Sequence, residues 1–151
     1  MKVIGCDCST KLIGCSILED NEIKTLTMYG GDANDFDGRF NVLFDLVKDF
    51  LKEEKPDSVY IEQAIYLNNV KVTIQIARII DLVVFWCKYF KIPYQIVDNK
   101  AWKKDVIGSG KASKEEIATF VKTKWSNHKF GNQDECDATA IAFFGKRRLS
   151  A

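Results

Sequence analysis

The chain has 151 residues, of which 46% are hydrophobic and 28% are charged, and its formal net charge is +1. These values are ordinary for a globular protein, so we expect residues 1–151 to form one domain around one sizeable core. The longest apolar stretch is interrupted by Asp81 and followed by Lys88, which excludes a membrane-spanning helix there. Five cysteines without a C-x-x-C pair, together with a single histidine, argue against a structural zinc site. We therefore expect a cytoplasmic protein with reduced thiols.

The first part of the chain is typical of three short strands followed by a helix. Runs of β-branched and apolar residues, separated by turn-like segments, predict an antiparallel meander over residues 2–8, 12–19 and 22–29. Apolar residues at helical spacing then predict an amphipathic helix over residues 34–53.

The rest of the chain alternates between strands and helices. "DSVYIEQ" and "PYQIVD" are compact strands, separated by a long helical stretch over residues 69–90. Two helical segments follow, "NKAWKKDVI" and "SKEEIATFVKTKW", and a last helix begins near Asp134. This order predicts an α/β fold whose mixed five-stranded sheet joins a three-strand antiparallel meander to two parallel strands. We expect helices on both faces of the sheet.

Asp7 lies inside a hydrophobic strand, between Cys6 and Cys8. Because side chains alternate along a strand, Asp7 shares a face with Val3 and Gly5, while both cysteines face the other way. We expect the cysteines to pack as small hydrophobic residues rather than to bind a metal. A carboxylate inside a strand is unfavourable unless it is hydrogen-bonded or binds a cation. Taken alone, Asp7 is explained equally well as a hydrogen-bonded strand-end acid and as a catalytic one.

Three further acids can reach the same edge of the sheet. Glu62 ends the fourth strand, and if that strand lies parallel to the first, its carboxylate converges with that of Asp7. Asp134 and Asp137 are three residues apart on the last helix and therefore share a face. The helix dipole alone also explains acids in a first helical turn. Glu135 falls on another side of the helix, and we expect it to be solvated.

Four carboxylates from two strands and one helix would repel one another strongly if left bare. Clustered hard oxygen donors without histidine match Mg²⁺ or Mn²⁺ better than zinc. Two such ions about 3.5–4 Å apart could activate a water molecule and stabilise the leaving oxygen of a phosphodiester. The pattern therefore indicates metal-dependent phosphodiester hydrolysis.

Four segments carry a resemblance to a known family. "IGCDCSTKLIGCSIL", "YIEQAIYLNN", "VIGSGKASKEEI" and "NQDECDATAIA" are similar, in this order, to signature segments of the RuvC-type Holliday-junction resolvases of the ribonuclease H-like superfamily. The resemblance covers nearly the whole chain. It implies a Mg²⁺-dependent endonuclease in which Asp7, Glu62, Asp134 and Asp137 bind two divalent ions per subunit, with Mn²⁺ able to substitute. The products would carry a 5′-phosphate and a 3′-hydroxyl. The unusual spelling of the motifs would fit a divergent, phage-borne member.

The resemblance also implies a homodimer that nicks opposing strands of a four-way junction, and it suggests which residues contact the DNA. The helix after Glu62 would form the dimer interface, although deep burial also explains its many apolar residues, among them Ile74, Ile76, Ile79, Leu82, Val83 and Trp86. The residues that we assign to DNA binding are Lys103, Lys104, Lys111, Lys114, Ile65 and Tyr66, although a solvated face also explains the crowded lysines. Ile65 stands where many relatives have an aromatic wedge. We interpret Trp102 and Trp125 as packing residues.

Two other functions stay open at this point. One is a different ribonuclease H-like nuclease that acts on general branched DNA or on RNA–DNA hybrids. The other is a non-catalytic nucleic-acid-binding module of the same fold, against which the four acids argue, because clustered negative charge does not help to bind phosphates.

Overall fold

The computed structural model describes residues 1–32 and 34–151. Its strands are β1 (Lys2–Cys8), β2 (Leu12–Glu19), β3 (Glu22–Tyr29), β4 (Ser58–Glu62) and β5 (Tyr94–Val97). They form one sheet in the order β3-β2-β1-β4-β5. β1 pairs antiparallel with β2, as does β2 with β3, whereas β4 lies parallel to both β1 and β5. The predicted mixed sheet is confirmed.

The helices are α1 (Phe36–Glu54), α2 (Val70–Tyr89), α3 (Asn99–Val106), α4 (Lys114–Lys124) and α5 (Gln133–Ser150). Each begins after a polar side chain that accepts a hydrogen bond from a backbone N–H of the first turn. These capping residues are Asp35, Asn69, Asp98, Ser113 and Asn132. The cap at Asn132 places the start of α5 one residue before the predicted Asp134. None of the helices in the described ranges is long and apolar enough to cross a membrane.

Alternation along β1 divides the core into two layers, one on each face of the sheet. Ile4, Cys6 and Cys8 pack into the cluster formed with α1 and α2. Val3 and the neighbouring Tyr60 pack into the cluster formed with α3, α4 and α5. Helices therefore cover both faces, as predicted, and the face that carries Asp7 is the one covered by α5.

Two glycines let α5 lie directly on the sheet. A Cβ atom at Gly5 would stand 2.1 Å from the backbone oxygen of Ala138, and one at Gly14 would stand 2.7 Å from backbone atoms of Asp134. No side chain fits at either position without moving the helix. Because Gly14 is the register partner of Asp7 across β1 and β2, this contact brings the first turn of α5 beside Asp7.

Candidate active site

Asp7 and Glu62 lie side by side because their strands are parallel neighbours. The register of β1 and β4 pairs Cys6 with Ile61, the residues that immediately precede the two acids. Both carboxylates therefore leave the carboxyl ends of adjacent strands, the edge at which open α/β sheets bind ligands.

The first turn and a half of α5 completes the set of acids. Asp134 and Asp137 line the same cavity as Asp7 and Glu62, and the volume of this cavity is about 390 Å³. The structure thus brings all four predicted acids together around one opening.

The electrostatics of this cavity disfavour bare negative charge. Burial, followed by the charges of Glu62, Asp137 and Asp134, raises the pKa of Asp7 well above its usual value of 3.8. Burial also raises the pKa of Asp137 to about 6; Glu62 and Asp134 act in the same direction, while a hydrogen bond from Gln133 and the charge of Lys103 oppose them. A cation in the cavity would remove this penalty.

The chemistry of the donors fits a hard divalent cation, since the four side chains offer only carboxylate oxygens. In the described part of the chain, however, no three His, Cys, Asp or Glu side chains are already drawn together as one ion-binding group. Closing the carboxylates around an ion would offset the mutual repulsion that raises the pKa values of Asp7 and Asp137.

Two of the acids are held by side-chain donors that the sequence did not reveal. Trp102 Nε1 and Asn99 Nδ2 both donate to Glu62 Oε2, at 2.5 and 2.8 Å. Gln133 Nε2 donates to Asp137 Oδ1 at 2.9 Å. The interpretation of Trp102 as a packing residue was incomplete: its ring is fully buried in the core, but its N–H serves the site.

The six residues assigned to DNA binding lie at different distances from the cavity. Ile65 and Lys114 line it directly. Lys103 is close enough for its charge to lower the pKa of Asp137. Tyr66 is 60% exposed next to Ile65, and Lys104 and Lys111 are exposed on and after α3 without lining the cavity. Their contacts with DNA stay a prediction.

Glu135 contradicts its predicted solvation. The residue is only 6% exposed, because β3 runs close to the start of α5. Thr27 Oγ1 donates to Oε2 at 2.7 Å, and the Gly131 backbone N–H donates to Oε1 at 2.9 Å. Burial acts to raise the pKa of Glu135, but these hydrogen bonds outweigh it and the pKa is lowered. Glu135 therefore joins α5 to the sheet beside the site instead of facing water.

The predicted packing of Cys6 and Cys8 is confirmed, since both are buried free thiols in the layer under α1 and α2. Burial raises the pKa of the Cys8 thiol well above its usual value. Cys8 also borders the cavity, next to Asp7. A thiol of this kind stays protonated and is a poor metal ligand.

This mixed five-stranded sheet, with carboxylates at the ends of β1 and β4 and on the helix that crosses them, is a ribonuclease H-like fold. The family model described as "Crossover junction endodeoxyribonuclease RuvC" matches residues 3–144. The chain belongs to this RuvC family.

Individual relatives align with this chain over most of their length. The crossover junction endodeoxyribonuclease RuvC of Pelobacter propionicus is 25% identical over 147 residues, covering 94% of this chain and 84% of the relative. That of Dictyoglomus thermophilum is 30% identical over 128 residues, covering 81% and 80%. Among solved structures, Thermus thermophilus RuvC in complex with a Holliday junction substrate superposes with a TM-score of 0.83 at 18% identity, covering 99% of this chain and 96% of that one.

Proposed function

We propose that this protein is a structure-selective endodeoxyribonuclease that cuts Holliday junctions or related branched DNA by metal-dependent phosphodiester hydrolysis. One observation carries the proposal: Asp7, Glu62, Asp134 and Asp137 line a single cavity in a chain of the RuvC family. The nuclease unit would comprise residues 1–151.

The four acids would hold two Mg²⁺ ions per subunit, with Mn²⁺ able to replace them. The charges of the three other acids act on Asp7, which would hold the ions together with Glu62, Asp134 and Asp137. Bound ions of this kind activate a water molecule and neutralise charge on the leaving oxygen. The expected products are a 5′-phosphate and a 3′-hydroxyl.

The other side chains of the cavity would bind and orient the DNA. Lys114 on the wall and Lys103 near Asp137 place positive charge beside the acids, where phosphates of the substrate must approach. Lys104 and Lys111 would extend this contact along the backbone. Ile65 and the exposed Tyr66 offer apolar surface for unstacked bases at the junction centre.

A homodimer through α2 would place two such sites on one junction. Four of the six apolar residues singled out on this helix, namely Ile79, Leu82, Val83 and Trp86, are buried within the subunit. The surface left for a partner is formed by Val70, Ile74, Phe85 and Tyr89, which are 46–64% exposed. Phe85→Glu should yield monomers in sedimentation experiments, and an unchanged dimer would place the interface elsewhere.

The deciding experiment is a nicking assay on a fixed four-way junction, a Y-fork, an RNA–DNA hybrid and plain duplex DNA, each with Mg²⁺, Mn²⁺ or chelator. We expect the junction to be cut with either ion and not with chelator. Asp7→Asn should abolish cutting and retain junction binding, whereas Asp105→Asn, an exposed acid on α3, should cut normally.

The same assay separates the other functions. Equal cutting of plain duplex would refute structure selectivity, and preferential cutting of the hybrid would indicate a different ribonuclease H-like nuclease. Cleavage by Asp7→Asn would refute the assignment of the metal site. Junction binding without any cutting by the unaltered protein would indicate a binding module.

A further inference from the structure

The side chain of Glu62 is held from one side by a single short helix. Trp102 Nε1 and Asn99 Nδ2 both donate to Oε2, at 2.5 and 2.8 Å. We propose that Asn99 and Trp102 are positioning residues, which fix the Glu62 carboxylate so that its other oxygen, Oε1, is presented to a divalent cation. This inference rests on the proposed function, because it assigns Glu62 to a metal ion.

The backbone explains why α3 reaches Glu62. Val97 in β5 is the register partner of Glu62, and the Gln63 N–H donates to the Val97 carbonyl at 2.8 Å. Asp98 then caps α3, which starts at Asn99. Since Asn99 and Trp102 are three residues apart, they lie on the same face of the helix, above the end of β4.

Trp102 is a rigid donor. Its side chain is 0% exposed and belongs to the core layer between the sheet and helices α3, α4 and α5. An indole packed in this way cannot turn to find another acceptor, and the position of its N–H is set by the core. Trp86 provides a contrast, because its buried Nε1 has no hydrogen-bond partner in the described residues. The pairing of Trp102 with an acid is therefore a specific feature of the site.

Both donors bind the same carboxylate oxygen of Glu62, so the two oxygens of this side chain have different roles. Within residues 1–32 and 34–151, Glu62 Oε2 receives two hydrogen bonds and Oε1 receives none. Glu62 lines the cavity, so Oε1 is the oxygen left for an ion. Asp137 is held in a similar way, because Gln133 Nε2 donates to one of its two carboxylate oxygens, Oδ1. Removing such outer partners of a metal ligand usually weakens metal binding by about 10–100-fold.

The test is calorimetric titration of DNA-free protein with Mn²⁺ and with Mg²⁺. The double variant Asn99→Ala/Trp102→Phe should bind the ions about 10–100-fold more weakly than the unaltered protein, with each single variant in between. Trp86→Phe is the matched control, since it removes the same atoms from a buried indole whose Nε1 has no hydrogen-bond partner among the described residues. The affinity of Trp86→Phe for the metal ions should stay within about twofold of that of the unaltered protein. Equal losses in the double variant and in Trp86→Phe, or no loss in either, would overturn the proposal.

Asn99→Ala keeps the proposal testable if Trp102→Phe does not fold, because the Asn99 side chain is only part-buried. A spectroscopic signal adds an independent readout. In a Trp86→Phe/Trp125→Phe background, Trp102 is the only tryptophan, and Mg²⁺ should change its emission through Glu62. If calorimetry shows that Mg²⁺ binds but the emission of Trp102 does not change, the result would contradict a contact between Trp102 and a metal-binding Glu62.

Glu62→Gln separates failure of this inference from failure of the proposed function. If Glu62→Gln binds Mn²⁺ as tightly as the unaltered protein, then Glu62 is not a metal ligand and the metal-site assignment itself is wrong. If Glu62→Gln weakens binding while the Asn99 and Trp102 variants do not, only the positioning role is refuted.

Discussion

Asp137→Asn should stabilise the metal-free protein at neutral pH. Burial, with the charges of Glu62 and Asp134, raises the pKa of Asp137 from 3.8 to about 6 despite opposition from Gln133 and Lys103. A carboxyl group with a raised pKa in the folded chain contributes its full stability below about pH 3.8 and loses it as the pH rises to about 6. Asparagine has no proton to lose, and its carbonyl oxygen can still accept the hydrogen bond from Gln133.

The magnitude follows from the two pKa values. A rise from 3.8 to about 6 corresponds to at most about 3 kcal/mol, at about 1.36 kcal/mol for each tenfold change in proton affinity. We expect a gain of about 2–3 kcal/mol for the variant at about pH 7.5, or roughly 4–12 °C in Tm. The assay is urea unfolding of both proteins in excess EDTA between about pH 4 and pH 8, where the difference should grow from near zero to a plateau.

Two results would refute this reasoning. One is a difference in the free energy of unfolding that does not depend on pH, and the other is a variant that is less stable than the unaltered protein above about pH 7. Asp105→Asn, at an exposed position on α3, is the control and should show no such gain. Saturating Mg²⁺ should reverse the order, because an ion that binds the native site stabilises the unaltered protein more than the variant.

Three other predictions concern the helix contact and the DNA surface. Gly14→Ala should destabilise the fold by about 1–3 kcal/mol and reduce nicking, because its Cβ would meet the Asp134 backbone; unchanged unfolding and nicking would contradict the close approach. Lys114→Ala should lower the slope of log K against log salt by about 0.9 for each phosphate that the lysine neutralises, and an unaltered slope would exclude such a phosphate contact. Tyr66→Ala should weaken binding to a four-way junction about tenfold more than binding to duplex DNA, whereas equal losses would argue against base stacking.

The sheet was predictable from local pattern alone. The turns Ser9-Thr10-Lys11 and Asp20-Asn21 separate runs of the right length, so the bounds predicted for β1, β2 and β3 agree with the structure. Alternation placed Asp7 and Cys6 on opposite faces, as found. The proximity of Asp7 and Glu62 could be predicted once β4 was inferred to lie parallel beside β1, an arrangement that the helical crossover favours.

What the sequence could not reveal depends on contacts between distant elements. Glu135 looked solvated because helical spacing separates it from Asp134 and Asp137, yet β3 brings Thr27 to it from more than a hundred residues away. Trp102 was interpreted as a packing residue, because a sequence does not distinguish an indole that only packs in the core from one that also donates a hydrogen bond. Only the position of α3 at the end of β4 shows that its N–H reaches Glu62.

The contacts of α5 with Gly5 and Gly14 set how closely the helix that carries Asp134 and Asp137 approaches the sheet that carries Asp7. Since main chain touches main chain there, the separation between Asp7 and the α5 acids is set by the thickness of two backbones. Gly5 and Gly14 are therefore the positions at which even a small substitution matters. A single methyl group at either glycine would push α5 away from the sheet.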